Sequence, residues 1–180
     1  FSPDGMRMYF TRDPDRKTFV STHTEGGWSE PVPASFNGRE AILSPNASEL
    51  FFGDGDIWCI ETADGEGAVP NRLPDAVNTG EYEFYASSTS DGTIYFSRLE
   101  NQRTKIYSSS RVNGSYAEAR ELPPPVNRDA CNNFHPFISP DGDFLLFNSD
   151  REGGFGQADL YISYREDRKS TRLNSSHTIQ

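Results

Sequence analysis

Cysteine and histidine are scarce, with two and three in 180 residues, and that thins out the chemistry open to the chain. Cys59 and Cys131 stand far apart, in non-neighbouring repeats, so a disulfide between them is not expected and both are read as free thiols. His23 and His135 have no Cys, His or carboxylate at metal-ligand spacing, so no metal site and no cofactor is expected. His135, just before Pro136, is read as a packed or pore-side histidine rather than a base. No Gly-x-Ser-x-Gly elbow occurs, so no hydrolase nucleophile of that kind is present, and no other catalytic constellation stands out.

Long apolar runs are missing as well, and no stretch approaches the length of a membrane span. Basic clusters are missing too. With 17 basic against 27 acidic residues the formal charge is −10, a poor match for nucleic acid or anionic lipid. Runs of Ala, Leu and Lys that would build helices are absent. In their place stand 13 Phe, 8 Tyr, 15 Gly and 12 Pro, a balance that favours many short strands joined by turns.

One phrase organises the rest. Ser139-Pro-Asp-Gly142 sits between Phe137-Ile138 and Phe144–Phe147, and reads as strand, tight turn, strand. It occurs again as Ser2-Pro-Asp-Gly5 before Met8-Tyr9-Phe10, as Ser44-Pro-Asn-Ala47 before Phe51-Phe52, and as Thr89-Ser-Asp-Gly92 before Tyr95-Phe96. Successive anchors lie 42, 45 and 50 residues apart, a period that belongs to propellers and solenoids. Each copy then gives a third run (Thr18–Ser21, Asp56–Cys59, Lys105–Ser108, Asp159–Ile162) and a more polar fourth (Trp28–Val32, Tyr116–Leu122). The fourth leads into links such as Leu73-Pro-Asp-Ala-Val-Asn78 and Leu122-Pro-Pro-Pro-Val-Asn127. Four short strands, the most apolar first and the most polar last, describe a propeller blade. The fold class is therefore all-β: a partial β-propeller of four-stranded antiparallel blades. Blades are expected at about 1–36 (incomplete), 37–78, 79–127 and 128–166 (incomplete). Whole propellers carry about four to eight blades, so a longer parent would hold roughly two to four more.

The remainder, Asp167–His177, reads in frame as the translation of a common sequencing adapter, with Thr178–Gln180 as its barcode. Residues 167–180 are accordingly expected to be a non-native tail without structure. Without them the chain holds 14 basic and 26 acidic residues. The chain opens on Phe1 in mid-phrase, so both ends are expected to be cut, and a signal peptide would not be visible.

The Ser-Pro-Asp-Gly turn before an aromatic pair, the Asp-hydrophobic-Tyr third run and the Trp28-Ser-Glu-Pro31 link resemble the WD40-like (PD40) propeller repeats of the TolB type over Phe1–Glu166. Asp150–Arg165 is similar to bacterial exported members. The resemblance implies a non-catalytic scaffold of the bacterial cell envelope, periplasmic or extracellular, that binds a protein or a small polar or anionic ligand on a propeller face. Two alternatives stay open: the propeller of a serine peptidase of the prolyl-oligopeptidase type, or of a carbohydrate-active enzyme, each with its catalytic part outside this stretch.

The recurring Asp4, Asp91 and Asp141 are read as turn residues. Asp54-Gly55-Asp56 leaves no room for a twelve-residue calcium loop, and Asp64-Gly65-Glu66 is likewise read as a solvated turn. Ser88–Thr93 approaches the sialidase turn in composition, but Asp91 and Gly92 are adjacent and no Trp follows. The one ligand-binding set suggested is Arg12, Arg98 and Arg151, placed after the second run of three copies, where guanidinium groups could ring one rim. The competing reading has each pairing with a neighbouring Asp such as Asp13 or Asp150.

Overall fold

The computed structural model describes residues 1–12, 14, 16–62 and 68–165, and the backbone of 173–178. Among them there is no α-helix, and none therefore long and apolar enough to cross a membrane. Of the eighteen strands among the described residues, sixteen form four antiparallel blades. Blade 1 holds β1 (Arg7–Arg12), β2 (Lys17–Thr24), β3 (Gly27–Trp28) and β4 (Val32–Asn37). Blade 2 holds β5 (Arg39–Leu43), β6 (Glu49–Asp54), β7 (Asp56–Glu61) and β8 (Asn71–Arg72). Blade 3 holds β9 (Tyr82–Ser88), β10 (Ile94–Glu100), β11 (Arg103–Ser109) and β14 (Arg120–Glu121). A side hairpin of β12 (Arg111–Val112) and β13 (Ser115–Tyr116) intervenes. Blade 4 holds β15 (Asn133–Ile138), β16 (Phe144–Ser149), β17 (Asp159–Arg165) and β18 (Leu173–Thr178).

The repeated turn joins the first two strands of blades 2, 3 and 4 and precedes β1 in blade 1. Ser or Thr opens it and donates its hydroxyl to the Asp or Asn two residues on. That acceptor also takes the backbone N–H two residues beyond itself: Asp4 from Met6, Asn46 from Ser48, Asp91 from Thr93, Asp141 from Asp143. Asn46 fills the place as well as an aspartate because only its carbonyl oxygen is used. The fourth position has positive φ in every copy, and Ala47 (φ 57°) occupies it where the other three have Gly.

The core lies between the blades rather than within them. Phe36, Leu50, Phe52 and Ile60 fill the space between blades 1 and 2. Phe51, Ile57, Leu73 and Val77 meet Ile94, Phe96 and Tyr107 between blades 2 and 3. Ile106, Leu122 and Val126 meet Ile138, Leu145, Phe147 and Tyr161 between blades 3 and 4. The links between blades are pinned by one residue type. Asn78, fully buried, accepts from Ile57 N–H and donates to the carbonyls of Ile57 and Leu73; Asn127 does the same with Ile106 and Leu122. A side-chain amide alone can offer an acceptor and two donors at that spot, which extends the backbone pairing past the two-residue outer strands β8 and β14.

One expectation is corrected. The polar fourth run is not one strand: in blades 1 and 3 it splits, because β2 and β11 continue into a hairpin before the chain returns as β4 or β14. Within the stretch 167–180, the backbone of β18 pairs with β17 from Tyr161↔Thr178 to Arg165↔Leu173, as the fourth strand of the blade 4 sheet. The edge of β17 offers unpaired N–H and C=O groups, and backbone pairing asks only for an extended segment.

Candidate functional site on the inner strands

The three inner strands β5, β9 and β15 share an irregularity that the sequence does not announce. Each breaks register with its neighbour at one place, and each holds one residue there at positive φ: Glu40 (59°), Tyr85 (53°) and His135 (54°). Bulges of this kind turn a side chain out of the ladder's alternation, at a cost of order 1–3 kcal/mol for a non-glycine residue. At the His135 bulge the freed backbone groups are caught by the neighbouring blade. His135 N–H donates to Ser97 Oγ (2.9 Å), Ser87 Oγ donates to the Pro136 carbonyl (2.8 Å), and Ile138 N–H donates back to Ser87 Oγ (3.1 Å).

The bulges bring the three side chains together. His135 Nε2 lies 3.5 Å from Glu40 Oε1. The imidazole stacks on the Tyr85 ring at 4.7 Å and takes the rings of Phe84 and Phe134 edge-on. Burial governs the electrostatics: it raises the pKa values of the Glu40 carboxyl and the Tyr85 phenol and lowers that of the His135 imidazole, even with Glu40 so near. Tyr85 lines two openings. One of about 500 Å³ is bounded by Phe1, Ile42, Phe137 and Pro140; one of about 440 Å³ includes Phe10, Arg39 and Glu40. A larger hollow of about 810 Å³ lies beside the turns of blades 3 and 4, but the carboxylates there, Asp91 and Asp141, already serve those turns. Hydrogen bonding from Ser2 and Thr89 lowers the pKa values of Asp4 and Asp91, as expected of carboxylates acting as turn acceptors.

The three arginines sit differently from an exposed rim. Arg98 is buried, donates from Nε to Glu83 (2.7 Å) and from Nη2 to the Val77 carbonyl (2.9 Å), and lies 4.3 Å from the Tyr107 ring centre. Arg151 is buried, donates to Ser149 Oγ, Asn133 Oδ1 and the carbonyls of Pro125 and Val126, and lies 4.6 Å from the Tyr161 ring centre. Both fasten the link of the preceding blade, so neither offers its charge to a ligand. Arg12 alone is exposed, stacked 4.4 Å over Phe19. Asp13 and Asp64–Glu66 fall outside the described residues.

The other candidates resolve simply. Asp54 and Asp56 flank the two-strand turn at Gly55, and Asp56 pairs with Arg72 at 2.7 Å. His23 is exposed, edge-on to Trp28. Both cysteines are free, and burial next to Glu49 pushes the Cys59 thiol up to about 12. Among the described residues no three His, Cys, Asp or Glu side chains cluster as metal ligands. The His135-Pro136 pair was the one available hint of the bulges, since proline cannot donate to a sheet ladder; nothing comparable marks Glu40 or Tyr85.

A four-bladed stretch whose core lies between radial sheets defines a β-propeller. The backbone is similar to that of a protein described as TolB from Agrobacterium tumefaciens (TM-score 0.66, 18% identity, 100% of this chain and 60% of that one) and to TolB from Acinetobacter baumannii (0.63, 16%, 98% and 41%). A Mycobacterium tuberculosis puromycin-hydrolyzing peptidase shares it as well (0.57, 15%, 97% and 29%). The chain thus spans less than two thirds of each of these structures, and at such identities the likeness establishes the TolB-type propeller fold alone. No family model and no curated protein sequence matches it.

Proposed function

We propose that the chain is part of a non-catalytic propeller scaffold of the bacterial cell envelope, TolB-like in role, that recognises a protein or a small polar ligand through Glu40, Tyr85 and His135. One observation carries this reading. The bulge is repeated in three blades and is architecture, but the side chain it presents differs each time, and the three meet at one place. A carboxylate at the centre disfavours an anion, so of the ligands expected from the sequence the polar, non-anionic kind fits. A triple variant, Glu40→Gln, Tyr85→Phe and His135→Asn, keeps size and, at position 135, tolerance of positive φ. Wild type and variant, used to capture cross-linked species from a bacterial envelope extract, should differ in what they retain, while Asp141→Asn behaves as wild type. Identical capture by wild type and the triple variant refutes the reading. The alternative, a gating propeller of a peptidase, draws support from the same fold likeness and requires a hydrolase domain in the flanking sequence.

A further inference from the structure

The bulged side chains of blades 2, 3 and 4 stand in a setting that narrows what they bind. Glu40 is the one carboxylate among them, and its side chain stays 27% exposed, within a ligand's reach. Burial raises its pKa despite a hydrogen bond from the Tyr85 backbone and the charge of neighbouring Arg39, so the ionised form is only partly compensated by these groups. His135, 3.5 Å away, does not supply the missing charge. Burial lowers the imidazole pKa from a value already below neutrality, which leaves the ring uncharged near neutral pH.

The rest of the neighbourhood is aromatic. The Tyr85 and His135 rings stack at 4.7 Å, Phe134 and Phe84 meet His135 edge-on at 5.0 and 5.7 Å, and Tyr82 lies 5.3 Å from Phe84. Aromatic faces attract a cation and offer nothing comparable to an anion. Tyr85 is near enough to Glu40 for the carboxylate charge to raise its own pKa. It also lines the opening of about 500 Å³ beside the turns, where Ile42 and Leu43 of β5 and Phe137 and Ile138 of β15 supply an apolar wall. The Tyr85 side chain therefore stands between an apolar wall and a carboxylate.

We infer that this site takes an alkylammonium group, a positively charged amine on an aliphatic stem, as found on a lysine side chain or a small free amine. The ammonium pairs with Glu40 and lies against the Tyr85 ring, while the stem covers the apolar wall. The inference rests on the proposed recognition through Glu40, Tyr85 and His135 and adds the chemistry of what is recognised. A neutral polar ligand leaves the carboxylate without a countercharge, and a hydrated metal ion leaves the apolar wall uncovered. The formal charge of −10 on the chain also draws cations at long range.

The test is an NMR titration of the full chain, followed at the His135 ring, with n-pentylammonium, its neutral counterpart n-pentanol, and Nα-acetyl-lysine methylamide. The amine should give a saturable shift in about the millimolar range, weakened at least about tenfold by Glu40→Gln, which keeps the side chain's size. Tyr85→Phe keeps the ring and should stay within about twofold of wild type, whereas Tyr85→Asn, which tolerates positive φ but removes the ring, should lose at least about threefold. Binding of the lysine derivative as well as the amine assigns the site to a lysine side chain of a protein partner; binding of the amine alone assigns it to a free amine. Equal binding of n-pentanol, binding unchanged in Glu40→Gln, or no saturable shift up to ~50 mM amine overturns the inference. If no amine binds and the triple variant still alters envelope capture, the inference falls and the recognition reading stands. Amine binding together with identical capture refutes the recognition reading instead and leaves the cation site standing.

Discussion

Arg98 and Arg151 perform the same fastening with different counter-groups, and that difference should be measurable. Both are buried, at 8% and 6% exposure, and both lie over two rings, so their cation–π contributions largely cancel in a comparison. Arg98 faces Glu83, which is fully buried and otherwise receives only the Thr79 hydroxyl (2.6 Å) and N–H (3.2 Å). Arg98→Met fills similar space but leaves a buried carboxylate without its countercharge, a loss of about 3–5 kcal/mol. Arg151 faces the neutral Asn133, whose Oδ1 keeps its bond from Ser149 Oγ (2.9 Å) when the arginine is gone. Arg151→Met mainly strands the Pro125 and Val126 carbonyls, about 1–3 kcal/mol. Urea unfolding should therefore place Arg98→Met below Arg151→Met by about 2 kcal/mol at unchanged m-value. Adding Glu83→Gln should recover much of that gap. Equal losses in the two variants, or no recovery with Glu83→Gln, would show that the burial of charge at Glu83 does not govern this junction.

The link asparagines should be nearly as costly: Asn78→Ala removes three hydrogen bonds from buried backbone groups and is expected to lower stability by about 3 kcal/mol in the same assay. Asp141→Asn should cost under about 1 kcal/mol, because Asn46 already serves the same turn, whereas Asp141→Ala should exceed it; a reversed order in thermal melts contradicts the turn role. Titration with an aromatic disulfide reagent at about pH 8 should modify the half-exposed Cys131 and spare Cys59, with its thiol at about 12, until the chain is unfolded. His135 has a depressed folded-state pKa, so its stabilising contribution is present above its unfolded value of about 6.5 and is lost as pH falls through the lower folded value. Glu40, raised by burial, works in the opposite direction: its contribution is present below the ordinary carboxyl range and lost as pH rises, and Arg39 beside it partly offsets the shift. His135→Asn should flatten the fall in urea midpoint between about pH 7 and pH 5; an unchanged slope would assign that fall to other groups.

The sequence alone determined the blade plan, because its signals are local. A hydroxyl two residues ahead of Asp or Asn, then a residue at positive φ, closes the same turn wherever it stands, and three of the four turns announce it as Ser/Thr-x-Asp-Gly. The link motif was legible for the same reason, although its asparagine gave no sign of clasping the third strand of its blade. Tertiary structure decided everything that depends on two blades at once. Arg98 and Arg151 follow aromatic runs as solvent-facing loop residues would, and only the packing of the preceding link over them shows that they are interior. The meeting of Glu40, Tyr85 and His135 was hidden further still. They lie 45 and 50 residues apart, and the bulge at His135 is held by two serines of the adjacent blade, an interaction that no single repeat encodes. Local hydrogen bonding writes the repeat; what differs between repeats acquires a function only when their inner strands are set side by side.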